Sequence, residues 1–310
     1  MIFARQIHSF ALATGLSTLA ARSRRAYRVI MFHGVGDAHM PVEDFEANLR
    51  WMAERFRVVS LSDVVQGIEQ GRRPDARGEV ALTFDDGLGN HFDRAWPVLR
   101  RLGLPASYFI CPDLIDGRRW IWNQEARARL KRMTPAARRE FAQAELRMQT
   151  DAIEPLVQHL KQLALADRLH AETVLRERTP DFVATPQEHE HYDPITWEQV
   201  RQLDPSLITI GSHTLSHPIL PTIGDTDLGH EVDESRRVLE ARLGRPVDLF
   251  CYPNGSHDER VYAHVSRTYR AAVTTNYGLA RASSDLHRLV RIPAAANLPL
   301  MAWRMYWPNA

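Results

Sequence analysis

Val80-Ala81-Leu82-Thr83-Phe84 runs directly into Asp85-Asp86-Gly87. A run of buried-strand character ending at a turn glycine sets two adjacent carboxylates where a strand gives way to a loop. The rest of the chain repeats this layout on both sides. Upstream, Tyr27 to Phe32 is a β-branched and aromatic strand that ends in His33-Gly34-Val35-Gly36. Pro41 to Phe56 follows as a helix with Val42, Phe45, Leu49 and Met52 on one face and acids in its first turn. Val58 to Leu61 reads as a short strand, Ser62 to Ile68 as a helix, and Gly71 to Gly78 as a polar loop. Downstream, a helix over Phe92 to Leu102 precedes a strand over Ala106 to Ile110. Strand and helix alternate, which predicts a parallel sheet or barrel.

Between Asp113 and Pro194 no strong strand candidate occurs. Ala, Arg, Glu, Gln and Leu dominate, with breaks at Pro135, Pro155 and Pro180, so this stretch reads as a helical insertion in several pieces. Its basic cluster of Arg127, Arg129, Lys131, Arg132, Arg138 and Arg139 is expected to be a solvated helix face. Trp120 and Trp122 are suited to anchoring the insertion or to stacking on a sugar. Alternation then resumes with a helix over Trp197 to Leu203 and a strand over Leu207 to Ile210, followed by Gly211-Ser212-His213-Thr214-Leu215-Ser216-His217-Pro218. A long helix over Thr226 to Leu243 leads to a strand over Val247 to Cys251 that ends in Tyr252-Pro253-Asn254-Gly255. Val261 to Thr268 is a helix, and Ala271 to Thr274 and Val290 to Ile292 are the last strands. Each polar motif follows a strand, so in a β/α barrel all of them would meet at one end.

Composition excludes some functions. The 310 residues are 44% hydrophobic and can bury a large core, and 39 basic against 38 acidic side chains leave no field for binding nucleic acid. Two cysteines, Cys111 and Cys251, are too few for a disulfide framework and suit buried thiols. Residues 1–25 are expected to form an N-terminal helix, with the apolar run Phe10 to Ala21 followed by Arg22, Arg24 and Arg25. That run is too short to span a bilayer but suits a weak membrane-surface contact. The expected location is cytoplasmic or peripheral to a membrane, with export left open.

His213 and His217 lie four apart, so on one turn of helix or helix-like loop both imidazoles face the same way. A carboxylate from Asp85 or Asp86 would complete a two-histidine, one-carboxylate set with coordination positions left for water and substrate. The remaining carboxylate is then free to take a proton from an acidified water.

Thr83-Phe84-Asp85-Asp86-Gly87 and His213-Thr214-Leu215-Ser216-His217, in that order, resemble the motifs of the polysaccharide deacetylases with the NodB homology domain, carbohydrate esterase family four. The resemblance covers about Ala26 to Pro293 apart from the insertion. It implies a distorted (β/α)7 barrel over residues 26–310, with a helical insertion at about 113–194, that removes acyl groups from amino sugars of a polysaccharide or glycan precursor. By the same resemblance Asp85 is the general base, and Asp86, His213 and His217 hold a divalent metal, commonly zinc. The oxyanion donor would come from Phe250-Cys251-Tyr252-Pro253-Asn254-Gly255, with an amide near Tyr252 or Asn254 as the candidate.

Two departures from the family pattern matter. Many members carry an arginine at the position of Cys251 that supports the catalytic aspartate, and Arg291 is the candidate to replace it. The late Leu-x-His that supplies an acid is also not evident, since Leu286-His287 lacks the spacing. Phe32-His33-Gly34-Val35 is instead similar to an early aromatic-His motif of a sub-branch, which makes His33 the candidate general acid. Two other activities fit the same residues: hydrolysis of small or cyclic amides, and glycan binding by a catalytically silent barrel.

Overall fold

The alternation of side chains along the strands decides what lies inside. Tyr27 and Val29 of β1 (Tyr27–Phe32) share one apolar cluster with Ala81, Phe109, Leu249, Cys251, Val273 and Leu289. Their neighbours Ile30, Phe32, Val80, Leu82, Phe84 and Phe250 belong to a second cluster that takes in the surrounding helices. Both faces of the ring strands are covered along most of their length, as in a barrel with an outer helical layer, while β2 and the end of β7 reach solvent. The computed structural model describes residues 25–307, so the expected N-terminal helix lies outside the described residues.

Eight parallel strands make the sheet: β1, β2 (Arg57–Val58), β3 (Glu79–Phe84), β4 (Ala106–Ile110), β5 (Ile208–Ser212), β6 (Leu249–Cys251), β7 (Ala271–Tyr277) and β8 (Leu289–Pro293). Seven of them close into a ring because β1 pairs with both β8 and β3. β1 occupies one edge of β3 along its length, while β2 and β4 share the other edge, β2 at Glu79 and Val80 and β4 at Thr83 and Phe84. That split distorts the (β/α)7 barrel. β2 is shorter than expected because Ser60 leaves the strand to cap the next helix, with Asp63 completing a capping box.

Helix α1 (Val42–Arg55) buries Phe45, Leu49 and Met52 on the barrel's outer face, each worth about 1.5–3 kcal/mol. Phe45 meets Phe32 and Phe84 edge-on, and these two stack at 4.9 Å. Helices α2 (Leu61–Glu69) and α3 (Trp96–Leu102) continue the layer. The insertion comprises α4 (Pro112–Gly117), α5 (Trp122–Arg132), α6 (Pro135–Leu146), α7 (Ile153–Leu160), α8 (Leu165–Glu177) and α9 (Pro186–Tyr192). It has its own apolar core around Trp122, Phe141, Leu156 and Leu175. Its basic cluster is more than a solvated face: Arg127 pairs with Glu154, Arg132 with Glu188, and Arg138 donates to three backbone carbonyls.

After α10 (Trp197–Gln202), the expected long helix is α11 (Asp225–Gly229), a π turn (His230–Glu234) and α12 (Ser235–Leu243). α13 (Glu259–Thr268) precedes β7, and a further helix, α14 (Leu298–Tyr306), follows β8. The sequence reading did not anticipate α14, which packs Met301, Met305 and Tyr306 into the outer core. No helix among the described residues is long and apolar enough to cross a membrane.

Candidate functional site

Register brings the motifs together. Asp85 follows Thr83 by two positions, so it points inward, and its amide donates to the Phe32 carbonyl beside His33. Arg291 enters the same interior from β8. Its Nη1 and Nη2 each lie 2.7 Å from an oxygen of Asp85. The guanidinium also donates to the Thr274 carbonyl through Nε (2.7 Å), to Thr83 Oγ1 (3.1 Å) and to Cys251 Sγ (3.3 Å). Burial would raise the Asp85 pKa, but Arg291 outweighs it and holds the carboxyl below the usual range. The arginine is itself held charged, with its pKa raised against the pull of burial.

Asp86 has φ +76°, which breaks the strand alternation and turns its carboxylate away from Asp85. Gly87, with φ +63°, continues the turn, where an added Cβ would lie 3.0 Å from Ile110. Asp86 Oδ1 is 3.5 Å from His213 Nε2 and 3.6 Å from His217 Nε2. His213 directs its Nδ1–H to the Cys251 carbonyl at 2.7 Å, so Nε2 is the nitrogen a metal would take; in the metal-free protein, against the pull of burial, nearby groups including Asp86 raise the His213 pKa well above the usual imidazole range. Burial, then His213, pushes His217 down to about 3, so its ring is neutral. The three donor atoms lie within 4.8 Å of one another. Tetrahedral ligands about 2.0–2.1 Å from zinc are about 3.4 Å apart, close to the two measured separations. The donor set fits a divalent metal.

The histidines are not on a helical turn. They sit on a loop in which Thr214 (φ +67°) and His217 (φ +63°) are left-handed. Glu231, from the π turn, fixes that loop by accepting from the amides of Leu215 (2.9 Å) and Ser216 (3.0 Å) and from Ser216 Oγ (2.5 Å).

His33 is exposed at the end of β1, close enough for its charge to lower the pKa of both Asp85 and Asp86. Its carbonyl accepts from Nε2 of the buried His91 at 2.7 Å. Asn254 (φ +57°) bears on the insertion, where Lys161 Nζ donates to its Oδ1 at 2.9 Å. Tyr252 does not serve as expected. Its amide is spent on the Val273 carbonyl (3.2 Å), and its ring is buried in the outer core with the hydroxyl on the His287 carbonyl. The reason is strand parity: Cys251 faces inward, so Tyr252 faces out. Asn254 is left as the oxyanion candidate. Trp120 and Trp122 are anchors, bonding through Nε1 to Asp193 Oδ1 and to the His217 carbonyl. Cys111 and Cys251 are free buried thiols.

His91 and Glu231 carry no signal in the sequence, whereas Trp122 is legible there as an anchor of the insertion. His91 and Glu231 each lie in a π turn, which leaves no residue pattern of its own, and the carbonyl that Trp122 reaches lies far along the chain.

Comparison with known proteins settles the family. The family model described as polysaccharide deacetylase matches residues 72–160 and 172–272, well over half of the chain, and both motifs fall inside it. This chain belongs to the polysaccharide deacetylase family. Among its relatives is the Bacillus subtilis (strain 168) protein YxkH, whose name assigns it to the polysaccharide deacetylases; it is 18% identical over 283 residues, covering 90% of this chain and 75% of that one. Two deacetylase structures share the fold. PplD from Streptococcus pyogenes, in complex with acetate, has a TM-score of 0.61 at 18% identity, over 91% of this chain and 99% of its own. IcaB from Ammonifex degensii has a TM-score of 0.62 at 15% identity, over 93% and 98%. The polysaccharide deacetylase model leaves residues 161–171, within the insertion, unmatched.

Proposed function

We propose that this chain removes N-acyl groups from amino sugars of a polysaccharide or glycan precursor with the help of a divalent metal, most suitably zinc. The observation that carries the reading is Asp86 Oδ1 lying 3.5 and 3.6 Å from two imidazole Nε2 atoms, beside an Asp85 clamped by Arg291. Asp86, His213 and His217 would hold the metal, which supplies a Lewis acid that polarises the acyl carbonyl and acidifies the attacking water. Asp85 takes the proton of that water. A carboxylate held so low by Arg291 is a weak base, so it suits only a proton that has already been made acidic. Asn254 offers its amide to the charge that develops on the acyl oxygen. His33, on the exposed lip, gives a proton to the leaving nitrogen as the carbon–nitrogen bond breaks, which releases a free amine and a carboxylate. A groove of about 540 Å³ begins at Gly89, two residues past the aspartate turn, and runs along Asn90, Arg94, Arg118, His189 and Gln199; neither Asp85 nor any of the three metal ligands lines it.

The test is elemental analysis of the purified protein together with acetate release from acetylated glucosamine oligomers, before and after chelation. Stoichiometric metal and chelator-sensitive release are expected. Metal-dependent hydrolysis confined to small or cyclic amides would move the substrate class, and glycan binding without turnover, unchanged in Asp85→Ala, would replace catalysis with a silent barrel.

A further inference from the structure

The loop that carries both histidines is strained. Left-handed conformations at Thr214 and His217 cost about 1–3 kcal/mol each and persist only where surrounding contacts over-determine them. Glu231 supplies those contacts from the barrel side, over Leu215 and Ser216. His217 itself lies beyond that grip. Its buried Nδ1 has no hydrogen-bond partner among the described residues, whereas His213 is oriented through its own Nδ1. The His217 ring therefore takes its direction from its backbone.

That backbone is held at its amide by Thr214 Oγ1 (3.0 Å), within the loop, and at its carbonyl by the insertion. Trp122, at the start of α5, donates its indole N–H to the His217 carbonyl at 3.1 Å. Arg168 of α8 lays its guanidinium over the Trp122 ring, 4.5 Å from the centroid. Arg168 is only 5% exposed and is paired with the equally buried Glu172 at 3.2 Å. A cation over the indole face packs the ring in place and strengthens its N–H as a donor. Arg168 falls within residues 161–171, the stretch that the polysaccharide deacetylase model leaves unmatched.

We propose that Trp122, backed by Arg168, is a positioning residue for His217, so that the insertion helps to build the metal site as well as flank it. The inference rests on the reading of Asp86, His213 and His217 as metal ligands. Partners of metal ligands typically govern metal affinity by about 10- to 100-fold.

The experiment compares Trp122→Phe, which keeps an aromatic ring but loses the indole N–H, with the wild type. Zinc affinity is measured by chelator competition, and ligand geometry by the visible absorption of the cobalt-substituted protein. Trp122→Tyr removes the same donor independently. Phe141→Leu, in the insertion core but away from His217, controls for loosening of the insertion. Both Trp122 variants, folded by circular dichroism, are expected to bind zinc about 10- to 100-fold more weakly with an altered cobalt spectrum, while Phe141→Leu keeps wild-type affinity and spectrum. Wild-type affinity and spectrum in the Trp122 variants would overturn the inference, as would an equal loss in Phe141→Leu. A wild-type protein that binds no zinc would instead overturn the reading of the ligands themselves.

Discussion

Arg291 forks onto both oxygens of Asp85 at 2.7 Å, joining the last strand of the barrel to the third inside the closed ring. The arginine is fully buried and its remaining donors are spent on Thr274, Thr83 and Cys251. A planar fork with five fixed donors is required to satisfy all of these at once, and an ammonium cannot do so.

Arg291→Lys is therefore expected to behave as a severe change. Losing the bidentate attraction raises the Asp85 pKa, and a carboxylate that must be ionised to act as a base then becomes active only at higher pH. The acid limb of the kcat/KM profile should move up by about one unit or more, with turnover reduced across the range. An acid limb that stays in place would show that Asp85 does not set it. Arg291→Ala would leave an uncompensated buried carboxylate and should cost about 3–5 kcal/mol of stability, read by denaturant unfolding.

His33 reaches the site from the neighbouring strand, and the site's two carboxylates both feel its charge. It is not placed with the metal ligands, since neither set of donor atoms lying within 4.8 Å of one another, Asp86–His213–His217 or Asp85–His213–Cys251, includes it. His33→Ala should lower kcat by about 100-fold or more while metal content stays at the wild-type level. Unchanged turnover would take the proton-donor role from His33.

The sequence made the barrel and its chemistry legible wherever a local pattern carried them. Asp85-Asp86-Gly87 and His213 to His217 are short motifs at strand ends, and alternation in β3 places Asp85 inside. Tyr252 shows the same rule going unused: with Cys251 inside, parity sends the tyrosine outward. Trp122, which meets His217 across 95 positions, depends on how separate helices dock and no local pattern announces it. The left-handed turns at Asp86, Thr214 and His217 were equally silent, because glycine normally marks such conformations and none of these residues is glycine.

His91 gives a pH signature to stability. Burial pushes its pKa down to about 4, with the backbone bond to His33 opposing the shift, so the folded protein keeps this ring neutral. Unfolded, the same histidine titrates near 6.5. Below about pH 6.5 the unfolded chain binds a proton that the folded chain refuses, so folding stability falls with pH until the folded ring titrates near 4. The shift corresponds to about 3 kcal/mol lost across that window. His91→Gln can still donate to the His33 carbonyl but cannot titrate, and it should make the decline shallower by the His91 share. Denaturant unfolding of the metal-free protein from pH 7 to pH 4 reads this directly, metal being removed because its release on acidification would add a slope of its own. His217, buried neutral with its pKa near 3, carries the same sign from about pH 6.5 down to about 3, and the depressed Asp85 and Asp86 add to it below about pH 4, so the variant is expected to keep a shallower slope across the window. A His91→Gln profile that parallels the wild type between 6.5 and 4 would mean that His91 is protonated in the folded state, which would leave a buried charge facing the His33 carbonyl.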